Sequence, residues 1–181
     1  MARSSTRTKV HAAVLALARE NRVGSLTMEG IAARAGISKQ TLYRSWPTTG
    51  AVLFDALLAR SEGPDGAVAI PDTGDLAADL RTLGMGMVAE LTEPMLEPLL
   101  RAVTAEIQAD EALASQYREA LLSVQMSAIA RRLRDGGVTA PAEVAELFVG
   151  PIMHRWLLRS HPLGPDWVSR HVDRTIRAAA S

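Results

Sequence analysis

The chain has 181 residues, 48% of them apolar, enough for a sizeable core in one large domain or in a small domain joined to a medium one. Cysteine is absent, which excludes disulfides, thiolate metal sites and cysteine nucleophiles and fits a reducing cytoplasm. The zero net charge hides an asymmetry: residues 1–60 carry nine Lys and Arg against three acids (Glu20, Glu29 and Asp55), and residues 61–181 carry 11 against 17. A basic segment suited to a polyanion is thus joined to an acidic remainder with another task.

Residues 1–9 are polar and basic and lack the apolar stretch of a secretory signal. A membrane span takes about 18 apolar residues. The longest candidate, residues 145–153, contains Glu146, Gly150 and Pro151. These features predict a soluble cytoplasmic protein with no membrane partner.

Apolar spacing predicts helices almost throughout. Residues 7–20 put Val10, Val14 and Leu17 on one face. A second, short helix starts at Thr27, a good N-cap, with Leu26 placed to pack on Ile31 as a hydrophobic staple. It ends near Gly36, which suits a left-handed turn. Ser38 caps a third helix over 39–45, Pro47 stops it, and Thr49 opens a fourth running to about residue 60. Glu62-Gly63-Pro64-Asp65-Gly66 and Pro71-Asp72-Thr73-Gly74 have the composition of a connector. Beyond it, helices are expected at 75–92, 94–109, 110–135, 141–159 and 165–180, with Gly136-Gly137 and the 162–165 segment as separators. No run alternates with period 2, so no sheet is expected. The predicted fold class is all-α with about nine helices. Residues 1–48 form one domain, 49–74 a connecting helix and linker, and 75–181 a second helical domain.

The stretch from Leu26 to Trp46 has a specific logic. Ile31 and Ala32 bury one face of a short helix, Ala35 lets the next helix cross closely, Gly36 turns the chain and Ile37 plugs the angle. Leu42 and Trp46 then fall on the inner face of the following helix, leaving Lys39, Gln40, Tyr43 and Arg44 outside. Two helices joined by a Gly-containing turn present the second to the major groove. The outward side chains suit that task. Lys39 can donate to guanine O6 or N7, and Gln40 can pair with adenine. Thr41 suits a thymine methyl or a phosphate. Thr27, Ser38, Tyr43 and Arg44, with the amides opening both helices, suit phosphate oxygens.

These residues resemble the TetR family of bacterial transcriptional regulators. The resemblance is carried by Leu26-Thr27-Met28-Glu29, Ile31-Ala32, Ala35-Gly36-Ile37-Ser38-Lys39, and Thr41-Leu42-Tyr43-Arg44 with Trp46. A weaker similarity, through Gly150-Pro151-Ile152, Arg155 and Pro162-Leu163, extends to the C-terminal domain of an actinobacterial-type subgroup. It implies an N-terminal helix-turn-helix DNA-binding domain followed by a ligand-binding and dimerisation domain. The implied protein is a homodimeric repressor of a pseudo-palindromic operator, released by a small effector. Two positions depart from the pattern. Arg22, with Asn21 beside it, stands where the family often has glycine. Thr49 stands where it often has a phosphate-contacting lysine, so that contact is expected to be uncharged.

In the C-terminal half, residues 141–159 carry apolar side chains all round the helix axis, so the helix must be covered on most sides. The resemblance implies a dimer interface from the last two helices, placed on Phe148, Ile152, Arg155, Trp156, Trp167, Val168 and His171. Pro151 inside that helix predicts a kink or break. Gly84 and Gly86 weaken their helix and are expected to leave space beside it. A mostly apolar effector pocket is expected among Met85, Val88, Leu99, Val103, Met126, Ile129 and Met153, methionine being adaptable where a site must repack.

His11, His154, His161 and His171 lack close metal-ligand spacing, and no phosphate-cradling loop, nucleophile elbow or paired-carboxylate motif occurs. No enzyme activity, metal or cofactor is expected. The expected partners are double-stranded DNA, a second copy of the chain and a small-molecule effector. The alternatives are a DNA-binding regulator without a ligand, as activator or under a partner's control, and an all-helical enzyme or carrier.

Overall fold

The computed structural model describes residues 2–20, 26–61 and 70–179. Among them the regular structure is helical: α1 (Ala2–Glu20), α2 (Met28–Ala35), α3 (Lys39–Ser45), α4 (Thr49–Ser61), α5 (Leu76–Leu91), α6 (Glu97–Ala109), α7 (Glu111–Tyr117), α8 (Ser123–Asp135), α9 (Pro141–Leu158) and α10 (Pro165–Ala179). Residues 111–135 are helical throughout, with π-type hydrogen bonding at Arg118–Leu122, so the ten α-helices make nine helical stretches. The expected connector at 62–66 and the departure at Asn21 and Arg22 lie outside the described residues.

The chain forms two compact units, one of residues 1–66 and 93–118, the other of 67–92 and 119–181. This differs from a division in chain order, because α6 and α7 pack with the N-terminal helices. In the first unit α1 lies against α2, α4 and α6, and α4 also touches α7. Val10 and Val14 of α1, Val52, Leu53 and Leu57 of α4, and Leu99 and Val103 of α6 are buried. Each removes roughly 1.5–3 kcal/mol worth of apolar surface from water. That shared core explains why a segment far along the sequence belongs with the first four helices.

The second unit joins α8 to α9 and α10 to α5 and α9. Leu80, Leu133, Val144, Phe148, Ile152, Val168 and Val172 fill its interior. Gly84 leaves no space beside α5, contrary to expectation. A Cβ there would lie 2.9 Å from Val168 Cγ1 and 3.5 Å from Phe148 Cζ, so the bare backbone is what lets these side chains seat on α5. Gly86 faces open space. Helix α9 runs through Pro151 without a break. Asp79 and Arg132 form a buried ion pair at 2.6 Å, and Thr73 donates to Asp79 through its amide and hydroxyl. Burial alone would raise the Asp79 carboxyl. The hydrogen bonds from Arg132 and Thr73, with the Arg132 charge, outweigh it and hold the group below the usual carboxylate range.

Candidate nucleic-acid interface

Helices α2 and α3 are short, so their ends must be well satisfied. Thr27 caps α2, its hydroxyl accepting the Gly30 amide at 3.1 Å. Gly36 closes it with φ +67°: the Ile37 amide donates to Ala32 O at 3.0 Å and the Gly36 amide to Ala33 O at 3.2 Å, the paired bonds of a Schellman ending. Ser38 then caps α3, its hydroxyl accepting the Thr41 amide at 3.1 Å and meeting the Thr41 hydroxyl at 2.9 Å. Two short helices are thus fixed in direction with few residues.

Burial divides the two faces as the pattern predicts. Ile31, Ala32, Ala35, Leu42 and Trp46 are buried and Ile37 is half-buried. Lys39, Gln40, Tyr43 and Arg44 are exposed, Tyr43 to 47% despite its apolar ring. Thr27 and Ser38 are exposed with their oxygens engaged as caps, and Thr41 is half-buried. Thr49 is half-buried at the start of α4, where the neighbouring Thr48 hydroxyl accepts the Ala51 amide.

Each acid of the basic segment is paired. Glu20 holds Arg34, tying α1 to α2. Glu29, in the first turn of α2, lies 3.0 Å from Lys39 Nζ. The hydrogen bond from Lys39, then the backbone amide and the lysine charge, hold the Glu29 carboxyl below its ordinary range. Asp55 of α4 accepts from Arg7 at 2.6 and 3.0 Å and from Trp46 Nε1 at 3.1 Å, and lies 2.8 Å from His11 Nε2. Beside this cluster a cleft of about 570 Å³ is lined by Thr6, Arg7, Thr41, Arg44, Ser45, Trp46 and Asp55. The sequence reading missed Glu29 and Asp55 as parts of this surface. Their signal is scarcity, since they are two of only three acids in the first 60 residues.

In the second unit, Met85, Val88, Met126 and Met153 are half-buried and Ile129 is buried. Leu99 and Val103, expected in the same pocket, belong to the first unit's core. Of the residues expected at a dimer interface, Phe148, Ile152, Trp156, Val168 and His171 are interior to the second unit. Arg155 and Trp167 are half-buried, with the Arg155 guanidinium 4.2 Å over the Trp167 ring. A helix apolar all round does not reveal which side its own unit takes. The outer side of α9 carries instead Leu147, Gly150, Pro151, His154, Leu157 and Leu158, all exposed.

Among the described residues no helix is long and apolar enough to cross a membrane, and no three His, Asp or Glu side chains are grouped to hold a metal ion. A model of the bacterial regulatory proteins of the tetR family matches residues 12–56, and one of the tetracyclin repressor-like C-terminal domain matches residues 70–175. Over 180 residues the chain is 28% identical to the uncharacterized HTH-type transcriptional regulator Rv1556 of Mycobacterium tuberculosis, covering 96% of this chain and 87% of the relative. It is 27% identical over 152 residues to the uncharacterized HTH-type transcriptional regulator YdeS of Bacillus subtilis, covering 80% and 74%. The solved structure of the TetR family regulator SCO0332 is similar with a TM-score of 0.71 at 27% identity, covering 95% and 97% of the two chains. With a capped helix-turn-helix pair in its N-terminal part and matches on both sides of the connector, the chain belongs to the TetR family of bacterial transcriptional regulators.

Proposed function

We propose that this DNA-binding regulator is a cytoplasmic homodimeric repressor that sets α3 of each copy into a major groove of a pseudo-palindromic operator and leaves it when a small apolar effector binds. The observation that carries the DNA part is the division of α3. Leu42 and the closing Trp46 anchor it inside, while Lys39, Gln40, Tyr43 and Arg44 stand exposed on a helix capped at its start by Ser38. Lys39 and Gln40 read bases, and Thr27, Ser38, Thr41, Tyr43, Arg44 and Thr49 set the phosphate register. One such head reads too few base pairs to be selective, and two-fold pairing supplies the second half-site about one helical turn away.

The face proposed for pairing is the outer side of α9, where Leu147, Leu157 and Leu158 are half or more exposed. With Gly150, Pro151 and His154 they follow the i, i+3, i+4, i+7 spacing of one helical stripe. The effector part is supported by an apolar hollow of about 190 Å³ in the second unit, lined by Leu76, Leu80, Leu133, Val138, Val144 and Ile176 among others. The half-buried Met85, Met126 and Met153 add adaptable surface in that unit. An effector acts only through tighter binding to the conformer with misplaced heads.

Selection of bound fragments from genomic DNA, followed by gel-shift titration of the enriched duplex, tests the reading. Tyr43→Ala is expected to weaken binding with folding intact. An unchanged affinity would remove α3 as the reading helix.

A further inference from the structure

Among residues 26–46 Glu29 is the sole acid. Of the three acids in the basic segment, Glu20 and Asp55 tie helices together, whereas Glu29 holds a residue of the exposed α3 face. We propose that Glu29 is a specificity residue of the reading head: its carboxylate holds Lys39 until a base edge with suitable acceptors replaces it. A duplex lacking those acceptors therefore meets a lysine already neutralised. The inference rests on α3 being the groove-entering helix.

The pair has the properties an exchangeable contact needs. Lys39 Nζ and Glu29 Oε1 are 3.0 Å apart, and the two side chains are 60% and 54% exposed. Ion pairs so wetted hold weakly, so a guanine edge offering O6 and N7 can take the ammonium over. A random phosphate offers less, because affinity from counterion release requires a cation not already paired. The low carboxyl pKa keeps Glu29 ionised at neutral pH.

Glu29 also sits in the first turn of α2, where a negative charge favours the helix end. Glu29→Asp keeps that charge but is one methylene shorter, so it separates the two roles. The full chain is titrated by fluorescence anisotropy against a labelled random-sequence duplex of about 30 bp, and against duplexes enriched by the wild type, over about 50–200 mM salt.

On random duplex, Glu29→Gln is expected to steepen the log K against log salt slope by about 0.9 and to tighten binding about three- to tenfold at low salt. On enriched duplex the change is expected to stay within about twofold, so the specificity ratio falls. Adding Lys39→Gln returns the slope to its wild-type value, and Glu29→Asp behaves like Glu29→Gln. An unchanged slope and affinity in Glu29→Gln, with the wild type binding normally, overturns the proposal. So does equal weakening on both duplexes that Glu29→Asp restores, since that marks a helix-end role alone. Wild-type protein that binds neither duplex at low salt overturns the reading of α3 itself, a distinct result.

Discussion

Trp46 Nε1 donates to Asp55 Oδ2 at 3.1 Å, so the residue that closes α3 is fastened to α4 by its ring nitrogen. The same carboxylate accepts two bonds from Arg7 and contacts His11, both on α1. One side chain therefore fixes α3 against two helices. Asp55→Ala strands these partners and is expected to cost about 1–3 kcal/mol of stability. Below full unfolding, a loosened Trp46 also blurs the α3 angle. Duplex binding at 25 °C, where the variant remains folded, is thus expected to weaken several-fold. Circular dichroism melts beside gel shifts check this, and a variant with a lowered Tm and full affinity would confine Asp55 to stability.

In the second unit, Asp79 and Arg132 are 1% and 6% exposed and satisfy each other, with Thr73 and the Pro71 carbonyl completing the cluster. Removing one partner leaves a buried charge alone, whereas removing both for side chains of similar size can be nearly neutral. Asp79→Asn is expected to lower Tm by roughly 10 °C, and Asp79→Leu with Arg132→Met to recover most of it. The Asp79 carboxyl is depressed, so its contribution is present above the unfolded value near pH 4 and is lost as pH falls through the folded value. Melts of the wild type and the double variant between about pH 7 and pH 3 check the sign. The wild type is expected to lose more stability at the acid end.

The first unit's helix-turn-helix pair was legible because local rules fix it. Thr27, Gly36 and Ser38 each satisfy helix-end groups within a few residues, and Ile31 and Leu42 are apolar at positions only the core accepts. Association between distant segments was not legible. Nothing in residues 97–117 says that Leu99 and Val103 bury beside α1 and α4. Gly84 illustrates the ambiguity of a missing side chain. In sequence it signals either space or close approach, and Val168 and Phe148 decide for close approach. The apolar α9 hid its outer face for the same reason, because Phe148 and Leu147 are equally apolar letters while one is fully buried and the other 51% exposed.

Gly150 lies on that outer face, and a Cβ added there would meet nothing within 4 Å in its own chain. If two copies pair along α9, bare backbone at the middle of the stripe permits close crossing, and a branched side chain wedges the copies apart. Gly150→Leu is expected to stabilise the isolated subunit slightly, since leucine is a better helix former by about 0.8 kcal/mol. It is also expected to shift sedimentation from dimer toward monomer and to weaken operator binding. A variant that stays fully dimeric would place the contact on another face.

His171 is 4% exposed, and its Nε2 lies 2.8 Å from the Phe148 carbonyl. A carbonyl only accepts, so Nε2 carries the hydrogen and donates. The ring stacks on Trp167 with centroids 5.0 Å apart, and Arg155 lies over the far ring of that stack. Burial, assisted by the charges of Arg174 and Arg155 and opposed by the Phe148 bond, lowers the histidine pKa. The unfolded chain titrates there near pH 6.5, so between that value and the lower folded one the unfolded state binds more protons. Stability contributed by the neutral ring is therefore complete above about pH 7 and declines as pH falls through 6.5 toward the folded value. His171→Gln is expected to lower Tm at both ends of a pH 7.5 to 5.5 series while flattening its slope, because glutamine does not titrate. Parallel slopes for the two proteins would show that His171 does not carry the acid sensitivity.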